Sequence, residues 1–210
     1  MQRTQLTLAV VALAAVLAWL LWSRPPPPQP VRQSQPQQTL ALAAPPTGGD
    51  FRLDSAAETL ALTQLRGKVV LLYFGYTSCP DICPTNLAFI AAALKGLTPA
   101  ELARVQVWFI SVDPERDTPA RLATYAAWFH PNIRGVTGTP EQIAAAARLY
   151  GAAYRRVAEP DSAMGYLVDH SASTYLVDPQ GRLAQTLDHA TPPDTIAAAI
   201  RHLLGAPQSQ

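Results

Sequence analysis

The sequence predicts an α/β domain that follows an N-terminal transmembrane anchor. A long apolar run lies within the first 22 residues, and a proline-rich stretch separates it from the rest of the chain. Beyond that stretch, apolar strand-like segments alternate with segments that begin with helix-capping residues, which is the pattern of a sheet covered by helices. The chain has 210 residues and a hydrophobic fraction of 49%, so it is long and apolar enough for one domain with a core.

The apolar run extends from Leu6 to Trp22 without a charged residue. With its polar neighbours it reaches about 20 residues, the length that crosses the hydrocarbon core of a bilayer. A cleaved signal peptide is the alternative, but cleavage needs small residues just after the run, and this run ends in bulky ones. A small-residue site at 41–43 lies well downstream. We therefore expect a short tail at residues 1–5 and an uncleaved anchor at residues 6–22.

Residues 23–49 contain eight prolines in 27 residues and several glutamines. Such a segment cannot bury a core, so we expect an extended, solvated linker. The globular domain should then occupy residues 50–205. Three of the 16 basic residues precede residue 45, which leaves 13 against 15 acidic residues for the remainder. Because no cluster of basic residues is present either, we expect no nucleic-acid partner.

Within the domain, strands and helices alternate along the chain. We predict hairpins at residues 51–62 and 172–187 and single strands at 69–74 and 105–111. Helices are predicted at 84–95, from 98, and at 118–129, 139–150 and 191–204.

Local signals support each of these elements. The run at 69–74 is continuously apolar, as a buried central strand requires. Pro84 fits a first helical position and Gly96 a helix stop. Residues 139–142 form a capping box, and the turn residues at 178–181 predict a hairpin. A closing hairpin and helix after a βαβ unit is the thioredoxin-like arrangement, so we expect a thioredoxin-like three-layer sandwich.

Cys79 and Cys83 are the two cysteines of the chain. A disulfide that closes so short a loop restrains the unfolded chain little, so their closeness indicates chemistry rather than stabilisation. Cys83 falls at or beside a helix start, where unpaired N–H groups and the helix dipole lower a thiol pKa. The spacing of four residues can place both sulfurs on one side of the turn, where they share a soft cation.

His170 is the candidate third ligand. It directly precedes the strand predicted from residue 172, and in a thioredoxin-like sheet the loop entering that strand faces the turn that carries the cysteines. Thioredoxin-like reductases usually place a cis-proline there, and this chain has no proline between Pro160 and Pro179. The other three histidines are better explained as capping, surface or loop residues; they are His130, His189 and His202.

Two thiolates and one imidazole form a soft-to-borderline ligand set. This set suits Cu(I), and with another ligand it accepts Cu(II). Zinc prefers four protein ligands in structural sites, and no fourth strong candidate is evident. We interpret Asp81 as an ordinary loop residue. Asp169 either orients His170 or caps the loop, and the sequence leaves both possibilities open.

Five further segments make the pattern more specific than the cysteine spacing alone. They are Tyr73–Thr85, Ser111–Pro119, Val136–Pro140, Val168–Ser171 and Tyr175–Gly181. These segments occur in this order over nearly the whole globular part. Through them the chain resembles the Sco/SenC family of copper chaperones for cytochrome c oxidase assembly. Residues 113–118 belong to this pattern but have no evident chemical role. Residues 157–166 look particular to this chain, and we interpret Met164 within them as a loop residue.

The resemblance implies a thioredoxin-like fold behind a single anchor, with copper bound by Cys79, Cys83 and His170. It also implies a single-pass protein of the inner (cytoplasmic) membrane whose globular domain lies on the periplasmic side, an orientation that the flanking charges do not decide. The implied role is to deliver copper to the binuclear centre of cytochrome c oxidase subunit II, or to reduce the cysteines of that subunit beforehand. Other copper carriers or thiol reductants would be further partners.

A thiol–disulfide oxidoreductase of thioredoxin type is the alternative function. His170, the missing proline and the C-x-x-x-C spacing favour the copper protein over this enzyme. The two functions are compatible, because copper binding needs the reduced cysteine pair. A peroxidase would need an arginine near one sulfur, and none lies close to Cys79 in sequence.

Overall fold

The structure, a computed structural model, describes Trp19, residues 46–160 and residues 164–205. The predicted tail, and the anchor apart from Trp19, lie outside the described residues, as does most of the predicted linker. Among the residues that are described, no helix combines the length and the apolar character needed to cross a membrane.

Strands β1 to β9 and helices α1 to α5 make up the described part of the domain. The strands are Arg52–Asp54, Thr59–Ala61, Val69–Gly75, Val105–Ser111, Ile133–Val136, Tyr154–Glu159, Gly165–His170, Thr174–Val177 and Leu183–Leu187. The helices are Ile82–Lys95, Pro99–Leu102, Pro119–Phe129, Pro140–Tyr150 and Pro193–Leu204. A 3-10 turn at Leu62–Leu65 follows the first hairpin.

Five strands form the central sheet, in the order β5-β4-β3-β8-β9. Strand β3 pairs parallel with β4 and antiparallel with β8, and every one of its residues is buried. Side chains alternate between the two faces of a strand. Those on one face of β3 pack with α1, α3 and α5, and those on the other face pack with α4 and the first hairpin. The predicted α/β fold with a central sheet covered on both faces is thus confirmed.

Strand β5 is an element that the sequence analysis did not predict. It is only four residues long and carries exposed Arg134, so it has no apolar run to reveal it. It lies at the sheet edge beside β4, with α3 packed against it. A Cβ on Gly135 would lie 2.6 Å from the carbonyl oxygen of Leu122, so this close helix–strand approach requires glycine.

Strands β6 and β7 form a separate antiparallel two-stranded sheet where the sequence suggested loop. His170 therefore ends a strand instead of lying in a loop. Helix α1 begins at Ile82, so Pro84 is its third residue rather than its first. Pro84 still lies in the first helical turn, where no backbone N–H has an intrahelical partner, and it costs the helix no hydrogen bond.

Candidate metal centre

The two cysteines lie where β3 passes into α1. Cys79 is half-buried in the loop, whereas Cys83 is in the first turn of α1 and fully buried. The end of β3 makes room for the Cys83 sulfur because it is a glycine: a Cβ on Gly75 would lie 2.6 Å from that sulfur. Gly75 thus determines how closely Cys83 approaches the sheet.

His170 reaches the cysteines from the end of β7. Its Nε2 lies 3.3 Å from Sγ of Cys83, and the ligand atoms of Cys79, Cys83 and His170 all lie within 4.8 Å of one another. Across residues 46–160 and 164–205, this is the one group of three or more histidines, cysteines or acids that is arranged to hold a metal. The structure therefore brings together all three residues that the sequence singled out.

The imidazole of His170 is held in a defined orientation. Its Nδ1 lies 3.1 Å from the carbonyl oxygen of Ser171, which can only accept a hydrogen bond, so Nδ1 carries a proton and donates it. This leaves Nε2 facing the sulfurs, as a metal-binding histidine requires. The rings of Tyr73 and Tyr76 pack edge-on against the imidazole, with centroids 6.2 and 5.9 Å away.

The two thiols differ strongly in acidity. The pKa of Cys79 is lowered to about 3, first by the hydrogen bond with the Cys83 thiol, and further by His170 and by the backbone N–H groups of Cys83 and Asp81. Burial raises the pKa of Cys83, and the negative charge on Cys79 raises it further. The expectation of a lowered pKa at Cys83 is therefore wrong. Cys83 is closed off from water, and its thiol, together with His170 and the backbone N–H groups at the helix start, stabilises the thiolate of Cys79 instead.

Neither acidic neighbour of the predicted ligands orients the histidine. Asp169 accepts hydrogen bonds from Arg155 at 3.0 and 3.1 Å, on the opposite side of β7 from His170, because successive strand residues point to opposite faces. This answers the question that the sequence left open for Asp169. Asp81 has an exposed side chain and affects the site through its backbone N–H.

Asp117 is a functional candidate that the sequence analysis missed. Its fully buried carboxylate accepts hydrogen bonds from the N–H of Thr77 at 2.9 Å, from the Thr77 hydroxyl at 2.5 Å and from the Ser111 hydroxyl at 2.7 Å. Asp117 thereby ties the start of the cysteine loop to the end of β4. A signal was present: an acidic segment directly after a strand lies at the same sheet edge as a preceding βα turn.

Arg121 also approaches the cysteine loop from a distant part of the sequence. It donates hydrogen bonds to the hydroxyls of Thr77 at 2.6 Å and Ser78 at 3.2 Å, and its guanidinium lies 3.7 Å from Asp117. Within the described part of the chain, these contacts go to the loop and to Asp117 rather than to a cysteine sulfur. The arginine that a peroxidase needs beside its sulfur is therefore not supplied by Arg121.

The comparisons with known proteins agree with this arrangement. The SCO1/SenC family model matches residues 40–205. The chain belongs to the SCO1/SenC family. The mitochondrial SCO2 homolog of Bos taurus is 40% identical over 178 residues, which are 83% of this chain and 66% of that protein.

Two solved structures of family members extend the comparison. Arabidopsis thaliana ScoI with copper bound is 38% identical, with a TM-score of 0.69 over 75% of this chain and 98% of that one. BsSco, described as having a disulfide switch and as a member of a family of cytochrome c oxidase assembly proteins, is 28% identical. Its TM-score is 0.60 over 77% of this chain and 96% of that one. The copper-bound relative agrees with copper as the predicted cofactor of this SCO1/SenC protein.

Proposed function

We propose that this SCO1/SenC protein binds copper through Cys79, Cys83 and His170. We further propose that it delivers copper to the binuclear copper centre of cytochrome c oxidase subunit II, or prepares the cysteines of that centre. The observation that carries the proposal is the convergence of two sulfurs and one imidazole nitrogen within 4.8 Å, although His170 is 87 residues from Cys83. The copper-bound Arabidopsis relative and the oxidase-assembly description of BsSco support the metal and the pathway.

The ligand atoms suit a metal that is held and then passed on. Two sulfurs satisfy Cu(I), and the imidazole matters more to Cu(II), which prefers nitrogen ligands. Cys79 is already a thiolate at neutral pH, whereas Cys83 must release its proton when it binds metal, so copper binding should strengthen as the pH rises. Cys79 is the less buried of the two cysteines, so we expect the thiolate of an acceptor protein to approach the metal from its side.

A Cu(I) titration of the reduced full-length chain in detergent, with a competing chelator, tests the ligand set. We expect one copper per chain, and we expect no chelator-resistant binding after Cys79→Ser plus Cys83→Ser. His202→Ala is the matched control, because this histidine is exposed on α5. Copper binding that survives loss of both cysteines would contradict the proposal.

A thiol–disulfide oxidoreductase is the second candidate, and the unequal thiols favour it. The Cys79 thiolate would attack a client disulfide and form a mixed disulfide, and one client sulfur would leave as a thiolate. Cys83 would then give its proton to that client thiolate, attack the Cys79 sulfur and release the second client sulfur as a thiolate. The products are a Cys79–Cys83 disulfide and a reduced client, whose second thiolate takes a proton from solvent. This chemistry does not need His170, whereas Cu(II) binding does.

We also propose that residues 6–22 anchor the protein in the inner membrane and that residues 23–49 link this anchor to a periplasmic domain at 50–205. The uncharged apolar run and its bulky end support the anchor. N-terminal sequencing of the protein from the membrane fraction should begin near Met1. A mature start near Ala44 would instead identify a cleaved leader.

A further inference from the structure

The hairpin that carries His170 is independent of the central sheet. Strands β6 and β7 hydrogen-bond to each other and form their own two-stranded sheet. The place of His170 beside the cysteines therefore depends on the side-chain contacts of β7 and on its connection to β8. Tyr166, Val168 and His170 lie on the same face of β7, because strand side chains alternate with a period of two.

Tyr166 is held in place by contacts with the segment that follows β4. Its hydroxyl donates a hydrogen bond of 2.8 Å to the fully buried carboxylate of Asp113. The guanidinium of Arg116 lies 3.8 Å from the centre of the Tyr166 ring, and its Nη1 donates to the Tyr166 carbonyl at 3.1 Å. Arg116 also forms an ion pair with Asp113. We name Asp113, Arg116 and Tyr166 the Tyr166 clamp.

The contacts continue from the Tyr166 clamp to the cysteine loop. The backbone N–H of Val168 donates to the hydroxyl of Tyr76 at 3.3 Å, and Arg116 lies 5.5 Å from the Tyr76 ring centre. Tyr76 in turn packs edge-on against His170. The face of β7 is thus joined to the cysteine loop directly at Val168 and at His170, and through Arg116 at Tyr166.

We infer that Tyr166, held by Asp113 and Arg116, is a positioning residue that sets His170 against Cys83. This inference rests on the proposed copper function. It assigns a role to the segment after β4, which had none from sequence alone. Because Cu(I) tolerates two sulfurs and Cu(II) relies more on nitrogen, a loosened hairpin weakens Cu(II) binding more than Cu(I) binding.

Copper titrations of the full-length Tyr166→Ala variant in detergent test the inference. We expect the Cu(II) affinity to fall roughly ten- to hundredfold, the range for residues that orient a metal ligand, while the Cu(I) affinity changes much less. The charge-transfer absorption of the Cu(II) form should shift as well. Tyr166→Phe keeps the ring on Arg116 and loses only the bond to Asp113, so it should fold and show a smaller loss.

Arg155→Ala is the matched control on the same hairpin. Arg155 pairs with Asp169 at the exposed side of β7 and makes no described contact with the Tyr166 clamp. We expect its Cu(II) affinity and its spectrum to equal those of the unmodified protein. An equal loss in Arg155→Ala and Tyr166→Ala would overturn the inference, because any disturbance of the hairpin would then have the same effect.

A double-mutant cycle with His170→Ala separates positioning from general structure. If Tyr166 acts through His170, adding Tyr166→Ala to His170→Ala causes no further loss of Cu(II) affinity. A further loss as large as that of Tyr166→Ala alone overturns the inference. If His170→Ala weakens Cu(II) binding but Tyr166→Ala does not, the clamp is refuted while the copper site stands. If His170→Ala has no effect, both proposals fall.

Discussion

Gly75→Ala is a small change with a large expected effect on the candidate copper site. The added Cβ would lie 2.6 Å from Sγ of Cys83 and 2.9 Å from Cε2 of Phe109. Ordinary contact begins at 3.4 Å, so the sulfur must move by about 0.8 Å, or the strand must shift by as much. Metal ligands tolerate errors of about 0.2 Å, so this displacement exceeds what the site can absorb.

We expect Gly75→Ala to destabilise the reduced protein by about 1–3 kcal/mol, the usual cost of overpacking a core. Its copper affinity should fall at least roughly tenfold, because one ligand is displaced. Chemical denaturation gives the free energy of unfolding, and a Cu(I) titration with a competing chelator gives the affinity. The matched control is Gly96→Ala, where the nearest atom would be 3.4 Å from the new Cβ and little change is expected.

Removing the sulfur that clashes provides a direct check of this reasoning. In a Cys83→Ala background, Gly75→Ala should cost clearly less stability than it does alone, since the shortest contact is gone and the contact with Phe109 at 2.9 Å is the one remaining clash. The coupling between the two substitutions is measured by a double-mutant cycle. Equal costs of Gly75→Ala with and without the sulfur would refute the steric argument.

Three further predictions concern the ligands and the loop that carries them. His170→Ala should weaken Cu(II) binding severely and Cu(I) binding measurably, yet leave the Cys79–Cys83 disulfide able to form and to be reduced. A Cu(II) titration beside a disulfide-exchange assay would contradict the copper proposal if affinity stayed intact and exchange was lost. Asp117→Asn should destabilise the protein by about 1–3 kcal/mol, because the buried amide satisfies the Thr77 donors less well, and denaturation curves measure this. Since the pKa of Cys79 is about 3, its alkylation rate should stay nearly constant from pH 5 to pH 8 in the reduced, metal-free protein; a roughly tenfold rise per pH unit, as for an ordinary thiol, would show that the pKa is not lowered.

Most of the core and the site followed from local sequence patterns. Strand β3 is a continuous apolar run, and the capping box at Thr139 opens α4 as predicted. The cysteine pair was identifiable because two thiols so close together at a helix start are unusual in a purely structural role. His170 was identifiable because it precedes a predicted strand, at the place that faces the cysteine turn in a thioredoxin-like sheet.

Tertiary structure decided the features that depend on distant partners. Strand β5 and the β6–β7 hairpin lack the apolar pattern that predicts a strand from sequence. They are strands because β5 pairs with β4, and because β6 and β7 pair with each other. The sequence indicated only that the acidic segment after β4 lies at the sheet edge that carries the cysteine turn. It did not predict the contacts of Asp113 and Asp117, because their partners Tyr166 and Thr77 are 53 and 40 residues away.

Burial also decided which thiol is acidic. From sequence, the helix start favoured Cys83, but folding places that sulfur in the core. There the Cys83 thiol, with His170 and two backbone N–H groups, lowers the pKa of Cys79 instead. The sequence by itself determined which residues meet at the site. Only the packed structure determined their charges and the distances between them. The charge of a thiol depends on its burial and on hydrogen-bond donors from distant residues, and the distances depend on how the strands and helices pack.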